Sequence, residues 1–252
     1  MDVTVPAASG SIPAYLALPR SANPEPGVVL VHDVFGMTQD LRNQADWLAS
    51  GGFVAVAPDL FHGRRRMACV RNARRDIVAR QGRIFDEVEA VRNWLIGRHE
   101  CAGTIGVIGF CMGGGLALTL AFGRGFAASS VNYGSAPKDV YDESFLAGSC
   151  PIVASYGAKD RSLRGAADRL ERALSDAGVI HDVKEYPGAG HGFLNDHEGA
   201  HDPLPILFPL VGKFMAYGYH EPSAGDARRR IVTFFDAHLR SGRFPGVQEG
   251  GG

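Results

Sequence analysis

The chain has 252 residues, of which 45% are hydrophobic, enough to bury the core of one full-sized domain. Its 27 acidic and 26 basic side chains nearly cancel, to a net charge of −1. No overall field therefore recruits nucleic acid or an anionic membrane, which leaves small-molecule chemistry. The N-terminus "MDVTVPAASGSIP" has neither the basic region nor the apolar stretch of a signal peptide, and the most apolar segment, "PLPILFPLVGKFMAYG", is interrupted by prolines and a lysine. Four cysteines, Cys69, Cys101, Cys111 and Cys150, show no paired spacing, which suits reduced thiols in a cytoplasmic protein better than a disulfide framework.

In chain order, "VTVPAASGSIPAYLALP" reads as two short strands around a Ser-Gly turn. "GVVLVH" is a continuous apolar strand of the kind buried on both faces. The next segment, "TQDLRNQADWLASGG", carries Leu41, Ala45, Leu48 and Ala49 at helical spacing, with Gly51 and Gly52 as a stop. "FVAVAPDLF" is a second buried strand. After it, "RIFDEVEAVRNWLIGR" is an amphipathic helix with Ile84, Val88, Val91 and Leu95 on one face. The strand "TIGVIGF" runs straight into a helix from Met112. Strands follow at "ASSVNYG" and "PIVASYGAKD", then a helix at "LRGAADRLERALSDAG", a strand at "IHDVKEY" and a last helix at "DARRRIVTFFDAHLR". Such alternation predicts one α/β domain over residues 1–245, a mostly parallel sheet with helices on both faces; the tail 246–252 is expected to be disordered. Function is then sought at the C-terminal ends of the strands.

One strand end stands out. Gly109-Phe110-Cys111-Met112-Gly113, between a strand and a helix, is the nucleophile-elbow pattern with cysteine in the central place. The turn is so tight that side chains two positions either side of the nucleophile would collide, which explains the glycines; Cys111 itself takes the strained φ. A helix N-terminus beneath the sulfur favours thiolate. The rival reading is a buried cysteine among helix-packing glycines.

Later strand ends tip the balance. Asp160 follows the strand in "PIVASYGAKD", and His191 lies in "KEYPGAGHGF" beyond the last strand, the acid-then-histidine order such an elbow requires. The loop "VHDVFGMTQD" stands where half of an oxyanion hole belongs, so the backbone N–H groups of Val34 and Met112 are the candidate donors. Asp33 in that loop is placed to accept the thiol's hydrogen bond and so modulate it, or serves as an ordinary turn aspartate. Phe35, Tyr133 and Phe193 are candidate apolar walls of a small pocket. The cluster "NDHEGAHD", with His197 and His201, fits no zinc spacing, and neither metal nor cofactor is expected.

Taken together, G-F-C-M-G-G, D-V-F-G after the first buried strand, "APDLFHG", G-x-x-D and G-H-G-F resemble the dienelactone hydrolase family over about residues 25–195 and again at "VTFFDAHL". The resemblance implies a compact single-domain α/β-hydrolase fold. It also implies cleavage of a lactone or ester through Cys111, His191 and Asp160, with Val34 and Met112 as oxyanion donors. Three departures stand out. The family archetype has glutamate at Asp33 and a carboxylate-gripping arginine at Asn195, and its loop corresponding to 197–225 is shorter. That segment reads as a lid, a subunit contact compatible with a homodimer, or a loop packed on the core. Arg71, Arg74 and Arg75 lie where the family covers its site, where one of them could grip a substrate carboxylate, but so arginine-rich a stretch more often makes a solvated helix face. The expected partner is a small lactone or ester, not nucleic acid or membrane; a broad carboxylesterase and a non-catalytic ligand-binding relative are the alternatives.

Overall fold

In the computed structural model, residues 1–62, 66–203 and 208–240 are described, together with the side chains of all these except Arg66 and residues 208–211. The boundary at 245 and the tail 246–252 lie outside them. Among the described residues eight strands form one sheet: β1 (Asp2–Ala7), β2 (Gly10–Ala17), β3 (Glu25–Val31), β4 (Val54–Pro58), β5 (Cys101–Phe110), β6 (Ala128–Asn132), β7 (Ile152–Gly157) and β8 (His181–Tyr186). Their order is β1-β2-β4-β3-β5-β6-β7-β8. The first two strands form an antiparallel hairpin, and β2 runs antiparallel to β4. All other neighbours are parallel, linked by helical crossovers.

Period-two alternation in the central strands separates the two faces. Val29 and Val31 of β3 join the cluster beneath α2 (Arg66–Ala79), α3 (Arg83–Ile96) and α4 (Met112–Leu120). Val28 and Leu30 join the cluster beneath α1 (Gln39–Ser50) and α8 (Glu221–Leu239). All four are completely buried, each contributing roughly 1.5–3 kcal/mol over exposure. Beyond the sheet centre, α6 (Ala166–Asp176) covers β7 through Ala166, Leu170 and Leu174. The helices α5 (Glu143–Leu146) and α7 (Phe208–Met215) are short. Among the described residues no helix is long and apolar enough to cross a membrane.

The predicted elements fall in place, with shifts at their boundaries. Strand β5 begins at Cys101 rather than Thr104, because the chain is already paired there: Glu25 of β3 sits opposite Cys101. Helix α8 begins at Glu221, five residues earlier than the pattern indicates. Pro222 lies in its first turn, where a missing N–H costs nothing. The arginine-rich stretch forms α2, on which Arg71, Arg74 and Arg75 are exposed and Arg75 pairs with Asp76, a solvated helix face.

Sheet order positions the chemistry. β5 is central and flanked by β3 and β6, with Val31 opposite Gly109 and Phe110 opposite Asn132. The residues that follow, Asp33-Val34 after β3, Cys111 after β5, Tyr133 after β6 and Asp160 after β7, therefore emerge side by side at one end of the sheet.

Candidate active site

Cys111 stands between β5 and α4 at φ 55° and ψ −114°, a backbone conformation that L side chains rarely adopt and that costs about 1–3 kcal/mol. Its N–H is anchored to Asn132 O at 3.0 Å, and its carbonyl accepts from Gly115 N at 3.2 Å, which closes the first turn of α4. The flanking glycines are required by contact. A Cβ on Gly109 would lie 1.9 Å from Gly113 O, and one on Gly113 would lie 2.3 Å from Val31 O. The thiol is half-buried and stands at the N-terminus of α4.

Asp160 and His191 meet as the chain order predicts. His191 Nδ1 lies 2.6 Å from Asp160 Oδ2, with both side chains almost wholly buried. The second oxygen, Oδ1, accepts from Ser162 N at 2.9 Å and Ser162 Oγ at 2.6 Å, fixing the carboxylate plane. Burial alone would raise the Asp160 pKa, but the hydrogen bonds from His191 and Ser162 outweigh it and lower it. In His191, burial presses the pKa down; the nearby Cys111 sulfur and the Asp160 carboxylate overcome that and lift it to about 10. Its other nitrogen, Nε2, is buried and meets no partner at hydrogen-bond geometry among the described residues, yet the sulfur is near enough to act on its charge.

Val34 follows β3 and Met112 opens α4, so the two candidate backbone donors stand at the same end of the sheet as Cys111. Among the described residues no hydrogen bond takes either N–H. Of the two readings of Asp33, the geometry matches the turn aspartate and not the thiol partner. Its Oδ1 accepts from Phe35 N at 2.7 Å, and its Oδ2 lies 3.1 Å from His197 Nε2, so its hydrogen bonds run to these groups and not to the thiol. The preference has a physical origin: aspartate is short, and an imidazole arriving from the 195–202 loop offers a stronger partner for a buried carboxylate than a thiol does.

The three candidate wall residues separate. Phe35 packs edge-on against His197, with ring centroids 5.1 Å apart. Tyr133 lies beneath His191 at 5.2 Å and donates its hydroxyl to Asn195 Oδ1. Phe193 is completely buried between Tyr133 and Tyr186, so it supports the His191 loop from the core and does not line the site. Asn195 is buried too, donating to Asp40 Oδ2 at 2.5 Å, which makes it a strut between this loop and α1.

Two residues of the site escaped sequence reasoning. One is His197, wedged between Asp33 and Asp202. The other is Tyr217, from the 197–225 segment, whose ring stacks near His197 (6.4 Å), faces His191 (6.2 Å) and meets Phe35 edge-on (6.3 Å). Its strap pairs with the backbone of the His191 loop: His191 N donates to Met215 O at 2.9 Å, Gly218 N to His191 O at 3.1 Å and His220 N to Phe193 O at 3.1 Å. A separate cleft of about 160 Å³, lined by Leu18, Pro24 and Glu100 among others, opens at the N-terminal ends of β3 and β5, the end of a parallel sheet away from this chemistry.

A thiol on an elbow turn at the centre of a mostly parallel sheet, with helices on both faces, defines an α/β-hydrolase. The chain belongs to the dienelactone hydrolase family, whose model matches residues 12–239. It is 28% identical over 226 residues to the carboxymethylenebutenolidase of Rhodococcus opacus, covering 85% of this chain and 82% of that one. A Klebsiella pneumoniae structure assigned as a dienelactone hydrolase superposes with a TM-score of 0.74 at 25% identity, over 93% of this chain and 97% of that one. A dienelactone hydrolase-like promiscuous phosphotriesterase from metagenomic libraries shares the fold, with a TM-score of 0.76 at 18% identity and coverage of 95% and 98%.

Proposed function

We propose that the protein is a cytoplasmic thiol hydrolase that opens a lactone or activated ester of the carboxymethylenebutenolidase type, with Cys111 as nucleophile, His191 as base and acid, and Asp160 as the group that orients the imidazole. The observation that carries this reading is the 2.6 Å contact between Asp160 and His191, with the strained Cys111 elbow close enough for its sulfur to raise the His191 pKa. His191 takes the proton of Cys111, and the sulfur so released is the nucleophile.

The thiolate attacks the acyl carbon, and the carbonyl oxygen becomes an oxyanion held by Val34 N–H and Met112 N–H; removing one such donor typically costs about 3 kcal/mol of barrier. The tetrahedral adduct collapses, the C–O bond breaks, and the leaving oxygen takes a proton from His191. The product of this step is a thioester on Cys111. Neutral His191 then takes a proton from water, hydroxide attacks the thioester, and the thiolate departs while the acid is released. A thiolate leaves more readily than an unactivated amine or alkoxide, so esters with good leaving groups, enol-lactones among them, suit this nucleophile. The four free cysteines agree with a reducing compartment.

Cys111→Ala is expected to abolish hydrolysis of p-nitrophenyl acetate and of a dienelactone while leaving the melting temperature close to that of the wild type. Undiminished turnover in that variant would overturn the proposal.

A further inference from the structure

His197 is 3% exposed and touches a carboxylate at each ring nitrogen. Nε2 lies 3.1 Å from Asp33 Oδ2, and Nδ1 lies 3.0 Å from Asp202 Oδ2. Each carboxylate is committed elsewhere as well. Asp33 Oδ1 takes Phe35 N–H at 2.7 Å, closing an Asx turn around Val34. Asp202 takes the N–H groups of Gln39 (2.7 Å) and Asp40 (3.0 Å), the first donors of α1. A continuous hydrogen-bonded chain thus runs from the α1 N-terminus through Asp202 and His197 to the turn that carries Val34. The ring is held from its faces too, edge-on by Phe35 and stacked by Tyr217.

Accepting the proposed hydrolysis, we infer that His197 is a positioning residue for the oxyanion turn. Its imidazolium balances the buried Asp33 carboxylate and pins it, so that the Asx turn presents Val34 N–H to the developing oxyanion. Without that counter-charge, Asp33 is a buried carboxylate without a cationic partner among the described residues, and it swings out, releasing the turn. The charged groups acting on the imidazole are Asp33 after β3, Asp40 at the start of α1 and Asp202 on its own loop. Burial lowers its pKa, and these carboxylates more than restore it, to about 9. The stacked Tyr217 phenol, itself pushed up by burial, adds no charge below that range.

The test separates oxyanion binding from thiol reactivity. Alkylation of Cys111 by iodoacetamide develops no carbonyl oxyanion, whereas ester hydrolysis does. His197→Gln should lower kcat for p-nitrophenyl acetate by about 10- to 100-fold, on the scale of a lost oxyanion donor. Its KM and its Cys111 alkylation rate, read by mass spectrometry, should stay within about twofold of wild type. The double variant Asp33→Asn/His197→Gln should lose little more than His197→Gln alone, since the histidine acts through the aspartate. Should His197→Gln fail to fold, Asp202→Asn takes its place, with a severalfold loss of kcat and unchanged alkylation expected. Unchanged kcat, or kcat and alkylation falling together, overturns the inference and leaves the proposed function standing. Hydrolysis that persists in Cys111→Ala overturns both.

Discussion

Asp160 does two things for His191, and its environment permits no easy substitute. Through Oδ2 it favours the tautomer with hydrogen on Nδ1, which in the proposed reaction leaves Nε2 to exchange protons at the sulfur. Through Oδ1 it is locked by both the backbone and the hydroxyl of Ser162. Asp160→Asn preserves size and the Ser162 contacts while presenting an amide to the histidine, which stabilises the wrong tautomer and removes the charge opposite the imidazolium. Steady-state assays are expected to show kcat lower by about 10³- to 10⁴-fold with an intact fold, by analogy with the same change in serine triads. A loss below tenfold would mean that His191 is oriented by something else. Single residues also explain why the elbow reads so clearly in sequence: at Gly109 and Gly113 a side chain would strike backbone atoms, so the local pattern records a steric necessity.

Elements differ in how much of themselves the sequence discloses. The strand and helix periods of β3, β5, α1 and α3 are local properties, set by which face of a continuous run is buried, and each was legible in order. So were Cys111, Asp160 and His191, because a parallel sheet delivers successive strand ends to one edge. The 195–220 segment obeys no period. Its shape is dictated by partners far off in the chain: His197 finds Asp33 across 164 residues, and Asn195 finds Asp40 across 155. That explains why His197 reads from sequence as one histidine of a loop cluster, and why Tyr217 is silent altogether. It also explains the different fate of Asp33, whose hydrogen bonds are decided by an imidazole that local sequence does not place beside it. The reading of 197–225 as lid, subunit contact or core-packed loop resolves in part: its strap packs onto the His191 loop and contributes a ring to the site.

The ionised groups of the site tie its chemistry to the stability of the whole molecule. Asp160 and Asp202 have folded pKa values below the ordinary 3.8, each through its hydrogen bond to a histidine after burial is outweighed. Their contribution is complete above pH 3.8 and is lost as pH falls through the folded values. The histidines act with opposite sign. His197 and His191 rise from 6.5 to about 9 and about 10, so their contribution is complete below pH 6.5, declines from there, and is gone once pH has risen through those values. Urea-unfolding midpoints are therefore expected to form a plateau between about pH 4 and 6.5, with one shoulder on the acid side and a long decline toward pH 10. The His197→Gln variant should lose the part of that decline centred below pH 9. A midpoint that stays flat from pH 6.5 to 10 in the wild type would show that these imidazoles are not charged in the folded protein.

The central claim is that the reaction passes through a thioester on Cys111, and it is tested most directly by acid-quenching the enzyme during turnover of p-nitrophenyl acetate and mapping the acyl group by peptide mass spectrometry. The predicted result is one acetyl group, on the peptide carrying Cys111, that builds up in His191→Gln because deacylation stalls and is missing in Cys111→Ala. An acetyl group on another side chain that turns over at the rate of hydrolysis, or steady hydrolysis with Cys111 unmodified in both enzymes, would contradict it.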